Sequence, residues 1–487
     1  MSAQTKDVLE KYPSYQATIG IEVHVQLKTK SKIFCGCSNN FGDEPNSNIC
    51  QVCAGYPGTL PVLNKKVVDF AIMAGLAADC TITPKTDFAR KHYMYPDLPK
   101  NYQVTQDDNP ICQNGHITIE LEDGSEKQIR ILRMHMEEDA GKNIHTTLGT
   151  SLVDLNRAGT PLLEIVSQPD IATAQEARAY LMRLRSIVQY LGISDADMEK
   201  GSFRADVNVS VKKKEATQLG TRVEVKNINS FKYIGQAIDY EIERHITMLE
   251  TGETMRMETR LWDSKNNKTF FMRSKEETAD YRYFTEPDLP LIVIDDAWIE
   301  NLRKQLPELP HHKLARFQKE YGLSGYETAI LVDTQERADF FEAAAKAGAP
   351  AKPIANWMLR NLLSFLNESK LSLTESPVTP HHLAALVNEI EQGTINNKIA
   401  QDVFAEMAAT GKMPAIIIEE KDLKQVGSSD ELEAIVKKIV EDNPDSVAKL
   451  KAGQDRVLGF FVGQVMKATQ GKANPVVINE LLKKYLG

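Results

Sequence analysis

Residues 17–27 read ATIGIEVHVQL, and their alternation is strict. Ile19, Ile21, Val23, Val25 and Leu27 recur at every second position, with Gly20, Glu22, His24 and Gln26 between them. Successive side chains of a β-strand point to opposite faces of the sheet. The stretch therefore predicts a strand with one apolar and one polar face. Glu22 and His24, neighbours on the polar side, stand roughly 6–7 Å apart and can approach a common ligand.

Two later stretches repeat the pattern. In FRADVNVSV (203–211), Phe203, Ala205, Val207, Val209 and Val211 oppose Arg204, Asp206, Asn208 and Ser210; in TRVEVKN (221–227), Val223 and Val225 oppose Arg222, Glu224 and Lys226. If these strands adjoin the first, Asp206 and Glu224 join Glu22 and His24. A further strand runs into HMEEDAGK (135–142), where alternation puts either Glu137 or Glu138 on the polar side. Mostly oxygen ligands with a single imidazole suit Mg²⁺ or Mn²⁺ better than zinc. The interleaved Arg204, Arg222 and Lys226 suit the phosphates that accompany such a cation. The competing reading is that half-exposed strands alternate simply because one face meets water. Arg204/Asp206 and Glu224/Lys226 would then be ion pairs of little energetic weight.

The surrounding sequence predicts an α+β fold up to about residue 300. HITIELEDGSEKQIRIL (116–132) reads as a hairpin: Ile117, Ile119 and Leu121 share a face, Asp123-Gly124 turn, and Ile129 and Ile131 return. A helix is expected over 173–191, opened by Thr173 and Glu176. After LPELPHH (306–312) helical periodicity takes over. Thr379 and Pro380 start a helix that Gly393 stops, another ends near Gly411, and a capping pattern from Ser428 to Glu431 opens the last segment. The expected organisation is 1–305, 306–412 and 413–487.

The 487 residues are 42% hydrophobic and 26% charged with a net charge of −9, as in ordinary globular proteins. No apolar run of the roughly 18 residues needed to span a membrane occurs, and the first fifteen residues resemble neither a secretory signal nor a transit peptide. A cytoplasmic location is expected, so the six cysteines are read as thiols or metal ligands. In CGCSNNFGDEPNSNICQVC (35–53) the pairs Cys35/Cys37 and Cys50/Cys53 flank twelve residues, which fits a closed, structural Zn²⁺ site. The acidic total argues against a general nucleic-acid coat. The end is basic, however: Lys449, Lys451, Arg456, Lys467, Lys472, Lys483 and Lys484 stand against Asp455 and Glu480. There is no P-loop, no G-x-G-x-x-G fingerprint and no G-x-S-x-G elbow, so a nucleotide would be held on a sheet.

Taken together, IGIEVHVQL, RKHYMYPDLPKNYQ, HMEEDAGK, SLVDLNRAGTPLLEIVSQPD, GSFRADVNVS, VEVKNINSF and GFFVGQVMKATQGKANP resemble the B subunits of the bacterial aspartyl/glutamyl-tRNA amidotransferases, nearly end to end. The resemblance implies a cradle-shaped catalytic domain with an antiparallel sheet, related to glutamine synthetase, then a helical domain and a small helical tail that binds tRNA. It implies ATP-dependent phosphorylation of the side-chain carboxylate of Glu-tRNA(Gln) or Asp-tRNA(Asn). Amidation would follow, by ammonia from a partner amidase subunit that a small third subunit bridges. Matched to the family's motifs, Glu22, His24, Glu138, Asp206 and Glu224 would hold Mg²⁺, and Glu138, near Lys142, would gate the ammonia route. Arg204 and Lys226 would meet the nucleotide phosphates, Arg90 and Lys91 the aminoacylated end, and Lys467 and Lys472 the tRNA body. Zn²⁺ at the four cysteines would be structural. A second functional reading is a non-catalytic tRNA-docking scaffold, which would tolerate alanine at Glu22, His24, Asp206 and Glu224.

Overall fold

The computed structural model describes residues 8–121, 123–146, 149–274, 280–424, 429–451, 456–469, 473 and 475–486. The chain divides into two compact units, Met1–Leu309 and Pro310–Gly487.

The first unit is built on a nine-stranded sheet. Its strands are β1 (Tyr15–Gln26), β2 (Thr81–Ile82), β3 (Cys112–Glu120), β4 (Glu126–Glu138), β5 (Pro161–Ser167), β6 (Phe203–Lys213), β7 (Val223–Lys226), β8 (Glu258–Asp263) and β9 (Lys268–Ser274), in spatial order β9-β8-β7-β6-β1-β5-β4-β3-β2. The expectation of an antiparallel sheet fails at one place. β7 and β8 run parallel, because the 21-residue helix Phe231–Thr251 carries the chain back between them. A parallel neighbour requires such a crossover. The fold class is α+β with a mixed sheet.

The strict period of β1 becomes a strict burial pattern. Ile19, Ile21, Val23 and Val25 are at most 1% exposed, whereas Glu22, His24 and Gln26 are partly exposed. Each such aliphatic side chain contributes roughly 1.5–3 kcal/mol by leaving water. A charge on that face would break the sheet. The apolar side is covered by α1 (Lys65–Ala77), α2 (Ala174–Tyr190) and α3 (Phe231–Thr251), whose buried residues share one core with the strands. α2 starts where its cap residues place it. Thr173 Oγ1 accepts the Glu176 amide at 3.1 Å, and Glu176 Oε2 accepts the Ala172 amide at 2.7 Å, one residue before the position a capping box uses. The β3–β4 hairpin pairs Ile117 with Ile129 and turns at Gly124, where φ is 79°.

A small sheet of Ala89–His92, Tyr102–Thr105 and Phe284–Thr285 docks on the end of β4. Gln103 Nε2 donates to the Glu138 carbonyl at 2.7 Å, and Gln106 Oε1 accepts the Met136 amide at 3.0 Å.

The second unit is helical. One apolar cluster runs from Phe317 to Ile418 and another from Leu432 to Leu486. The helix Pro380–Glu391 begins at the Thr379 cap and buries Leu383, Leu386 and Val387; Gly393 follows with φ 74°. The next helix, Asn397–Thr410, closes on Gly411 in the left-handed region. Ser428, expected to cap the last segment, lies outside the described residues. No helix among the described residues is long and apolar enough to cross a membrane.

Candidate active site on the polar face of the sheet

The registers align the charged residues in rows across the sheet. His135 on β4 pairs with Glu164 on β5, Glu164 with His24 on β1, and His24 with Arg204 on β6. One row over, Glu22 pairs with Asp206, while Asn208 pairs with Glu224 on β7. Two groups of metal-ligating side chains result, each with its donor atoms within 4.8 Å of one another: His24, Glu137 and Glu164, and Glu22, Asp206 and Glu224.

In the first group, His24 Nε2 lies 3.2 Å from Glu164 Oε2 and 3.8 Å from Glu137 Oε1. His135 Nε2 closes the set, 3.6 Å from Glu137 and 3.5 Å from Glu164. Burial alone pushes the His24 imidazole down, but the Glu164 hydrogen bond and the charges of Glu164 and Glu137 outweigh it and raise its pKa to about 9. Burial pushes the Glu164 carboxyl up. The neighbouring His135 and His24 more than offset that and hold it well below the usual carboxylate range. Thr105 Oγ1 donates to Glu137 Oε2 at 3.2 Å.

In the second group, the Lys226 ammonium bonds Asp206 and lies 3.4 Å from Glu224. Asn208 Nδ2 donates to Glu22 at 3.1 Å, and Thr259 Oγ1 on β8 donates to Glu224 at 2.8 Å. The Glu22 carboxyl is raised, first by burial and then by the charges of Glu164 and Glu224. Carboxylates gathered this closely, in a pocket of oxygen donors, fit a hard divalent cation that would neutralise them. The donors present therefore suit Mg²⁺ or Mn²⁺ in both groups, with an imidazole only in the first.

The acidic triplet divides in a way that alternation along the hairpin misses. Ile129 and Ile131 face the core, but the register shifts opposite Val166/Ser167, so that Leu132 is an extra residue in β4. A bulge reverses the phase of everything after it. Met134 and Met136 then face the core, and Arg133, His135 and Glu137 share the polar face. Glu137 joins His24. Glu138, expected among the Mg²⁺ ligands, instead accepts the Val104 amide at 2.9 Å and the Lys100 ammonium, on a cavity of about 230 Å³ that Cys53, Tyr56 and Tyr102 also line.

Other expected residues fall as follows. Lys142 is exposed on a short hairpin strand, Lys142–His145, opposite Asp154, and Lys100 is the cation at Glu138. Arg90 donates through Nε and Nη2 to Glu286 at 2.7 and 2.8 Å and reaches Asp288 at 3.1 Å, with Tyr102 stacked 4.3 Å away. These donors hold the small sheet together and are not turned outward. Lys91 sits 5.0 Å over the Tyr281 ring. Burial opposes its charge, yet Glu137 and Glu164 raise its pKa. Arg222 is exposed, Lys467 is exposed on the helix Arg456–Ala468, and Lys472 lies outside the described residues.

Sequence reading missed Glu164, His135, Thr105, Lys100 and Thr259. Glu164 carried a signal, as the one acid in the apolar strand PLLEIVS.

The four cysteines of residues 35–53 converge, with all four Sγ atoms within 4.8 Å of one another. Cys53 Sγ stands 4.0 Å from Cys37 and 3.9 Å from Cys50, close to the edge of about 3.8 Å that a tetrahedron with Zn–S bonds of 2.3 Å has. The Cys35 hydrogen bond, opposed by burial and aided by the Lys32 ammonium, lowers the Cys53 pKa to about 4. Lys32 is itself fully buried and reaches Cys53 at 3.6 Å. A thiolate ready to form and a cation against it fit a structural Zn²⁺. All six cysteines are free thiols.

Residues 17–300 match the model of the GatB/GatE catalytic domain, and residues 339–486 that of the GatB domain. The chain is 55% identical over 477 residues to the B subunit of the aspartyl/glutamyl-tRNA(Asn/Gln) amidotransferase of Geobacter sulfurreducens, covering 97% of this chain and 99% of that one. It is 54% identical over 476 residues to that of Geotalea daltonii and 51% identical over 472 residues to that of a Thermoanaerobacter strain, with the same coverage. The chain belongs to the family of B subunits of the aspartyl/glutamyl-tRNA(Asn/Gln) amidotransferases.

Proposed function

We propose that this chain is the activating and amidating subunit of a glutamine-dependent aspartyl/glutamyl-tRNA amidotransferase. It phosphorylates the side-chain carboxylate of misacylated Glu-tRNA(Gln) or Asp-tRNA(Asn) with ATP, and ammonia then displaces phosphate to leave the amide. The observation that carries this reading is the pair of three-donor groups set side by side on one sheet face, with the cations of Arg204 and Lys226 beside them.

A carboxylate is a poor electrophile with no group that ammonia can displace, so the bond to phosphorus must form before the bond to nitrogen. Glu22, Asp206 and Glu224 on one side, and His24, Glu137 and Glu164 on the other, would hold the divalent cations. Mg²⁺ bound there supplies charge neutralisation for the transferring phosphoryl group. Arg204 and Lys226 bind and orient phosphate oxygens. Lys91, facing Glu137 and Glu164, is suited to the substrate carboxylate. Glu138, paired with Lys100 on the wall of the neighbouring cavity, would gate the ammonia that a partner amidase subunit releases, with a small third subunit joining the two.

In this reading residues 1–305 form a cradle related in fold to glutamine synthetase, 306–412 a helical domain and 413–487 a tail that meets the tRNA body, Lys467 and Lys472 among its contacts. The four-cysteine loop holds a structural Zn²⁺. The complex acts in the cytoplasm, where misacylated tRNA is made. The test is ADP release by the assembled complex in the presence of Glu-tRNA. Asp206→Asn should abolish the tRNA-dependent release and leave tRNA affinity unchanged. A variant that releases ADP at the normal rate would refute the assignment.

A further inference from the structure

Of the three acids at the end of β4, Glu137 meets the metal-ligating set and Glu138 meets Lys100, which leaves Asp139. It is 5% exposed, so no substrate reaches it directly. Its backbone is pinned on both sides: its amide donates to the Thr160 carbonyl at 2.8 Å, and its carbonyl accepts the Gly159 amide at 2.9 Å. Its carboxylate is oriented in turn. Oδ1 accepts the Ala140 amide at 3.0 Å, and Oδ2 accepts Gln26 Nε2 and Arg204 Nη2, both at 2.9 Å.

Arg157 stands behind this pair, its Nε 3.6 Å from Asp139, and is itself tethered to the carbonyls of Ala140 and Gly141 at 2.9 and 2.6 Å. Arg204 comes from β6, directly opposite His24 in the β1–β6 register, and keeps 35% of its side chain exposed on the polar face. Asp139 takes only Nη2. An arginine held at one nitrogen keeps the remaining N–H groups of its planar fork for an anion, and the rotamer freedom it would otherwise lose on binding is already restricted.

We infer that Asp139 is the positioning residue that fixes the Arg204 guanidinium for a nucleotide phosphate on the polar face. The inference rests on the phosphate role proposed above for Arg204. It assigns the third acid of the triplet a duty separate from those of Glu137 and Glu138: it acts only through Arg204 and touches neither metal nor substrate.

A double-mutant cycle on the assembled complex tests this, with ammonium as nitrogen donor, saturating Glu-tRNA and ATP varied. Loss of a charge-assisted hydrogen bond predicts that Asp139→Asn raises KM for ATP about tenfold. KM for Glu-tRNA, measured with ATP saturating, should hold. Arg204→Met should raise KM for ATP at least as much, and Asp139→Asn added to it should change nothing further. Asp139→Glu, which keeps the charge but displaces the carboxylate by one methylene, replaces Asp139→Asn if the latter fails to assemble, with the same expected direction. If the two effects multiply, or if Arg204→Met raises KM for ATP and Asp139→Asn does not, the coupling is refuted while the phosphate role of Arg204 stands. If Arg204→Met leaves KM for ATP unchanged, the phosphate role falls and this inference with it.

Discussion

Glu137 and Glu138 are adjacent in sequence and serve opposite faces of one strand. Glu137 lies 3.8 Å from His24 on the polar face, while Glu138 accepts the Val104 amide and the Lys100 ammonium on the other side. Two isosteric substitutions should therefore give different defects. Glu137→Gln should raise the Mg²⁺ requirement and lower amidation by about 10–100-fold whether glutamine or ammonium supplies nitrogen. Glu138→Gln should impair the glutamine-driven reaction more than the ammonium-driven one. Rates measured with both donors across a Mg²⁺ titration check this. Equal defects in the two variants would contradict the division.

The same pair shows where sequence reading stops. The polar face of β1 was legible because five aliphatic residues in strict period two allow no other strand phase, and the matching phases of β6 and β7 brought Asp206 and Glu224 with it. The phase of β4 was not legible. One extra residue, Leu132, reverses it midway, and a bulge leaves no mark in composition. Glu164 was hidden for another reason: a strand buried on most of its length reads as a continuous apolar run, so its single acid has no alternating partners to announce a face. Lys100 and Thr259 reach the site from separate segments, and only pairing brings such residues together.

Thr259 on β8 is fully buried and donates to Glu224 at 2.8 Å, across the one parallel pair of the sheet. Thr259→Val removes this donor at nearly constant volume. The Glu224 carboxylate loses its fixed orientation, and the concentration of Mn²⁺ that half-saturates the protein should rise by about tenfold. Thr259→Ser keeps the hydroxyl and should restore it. Direct titration of Mn²⁺ by its electron paramagnetic resonance signal reads this without turnover.

Glu241 is buried on α3 among Arg244 and His245 of the same helix, Glu258 and Arg260 of β8, and Thr269 of β9. Burial opposes its charge, but the His245 imidazole 3.3 Å away, together with hydrogen bonds from Arg244 and Thr269, prevails and lowers its pKa from 4.5 to about 2. A depressed folded-state pKa gives stability that is complete above the unfolded value and lost as pH falls towards the folded one. Urea unfolding of the wild type and Glu241→Gln should thus differ most near about pH 6, with the gap narrowing by about pH 3. A gap independent of pH would show that the Glu241 charge contributes nothing.

The cysteine loop makes a separate prediction. Protein purified without chelator should carry about one Zn²⁺ per chain, and Cys53→Ser should lose it and unfold at lower temperature. Lys32→Met should weaken zinc retention without abolishing it, because Lys32 is buried against Cys53 but is not a ligand. Metal content by mass spectrometry, together with thermal unfolding, tests both. Full zinc content in Cys53→Ser would contradict the four-thiolate site.

The most direct measurement is made on the complex assembled with the amidase and small subunits proposed above, with ammonium in place of glutamine, following ATP-dependent amidation of Glu-tRNA and Asp-tRNA by wild type and His24→Ala. His24 joins the β1 row to Glu137 and Glu164, so the account predicts that amide formation and tRNA-dependent ADP release disappear together while tRNA binding persists. Amidation at the wild-type rate in His24→Ala would contradict it and leave this chain a docking scaffold.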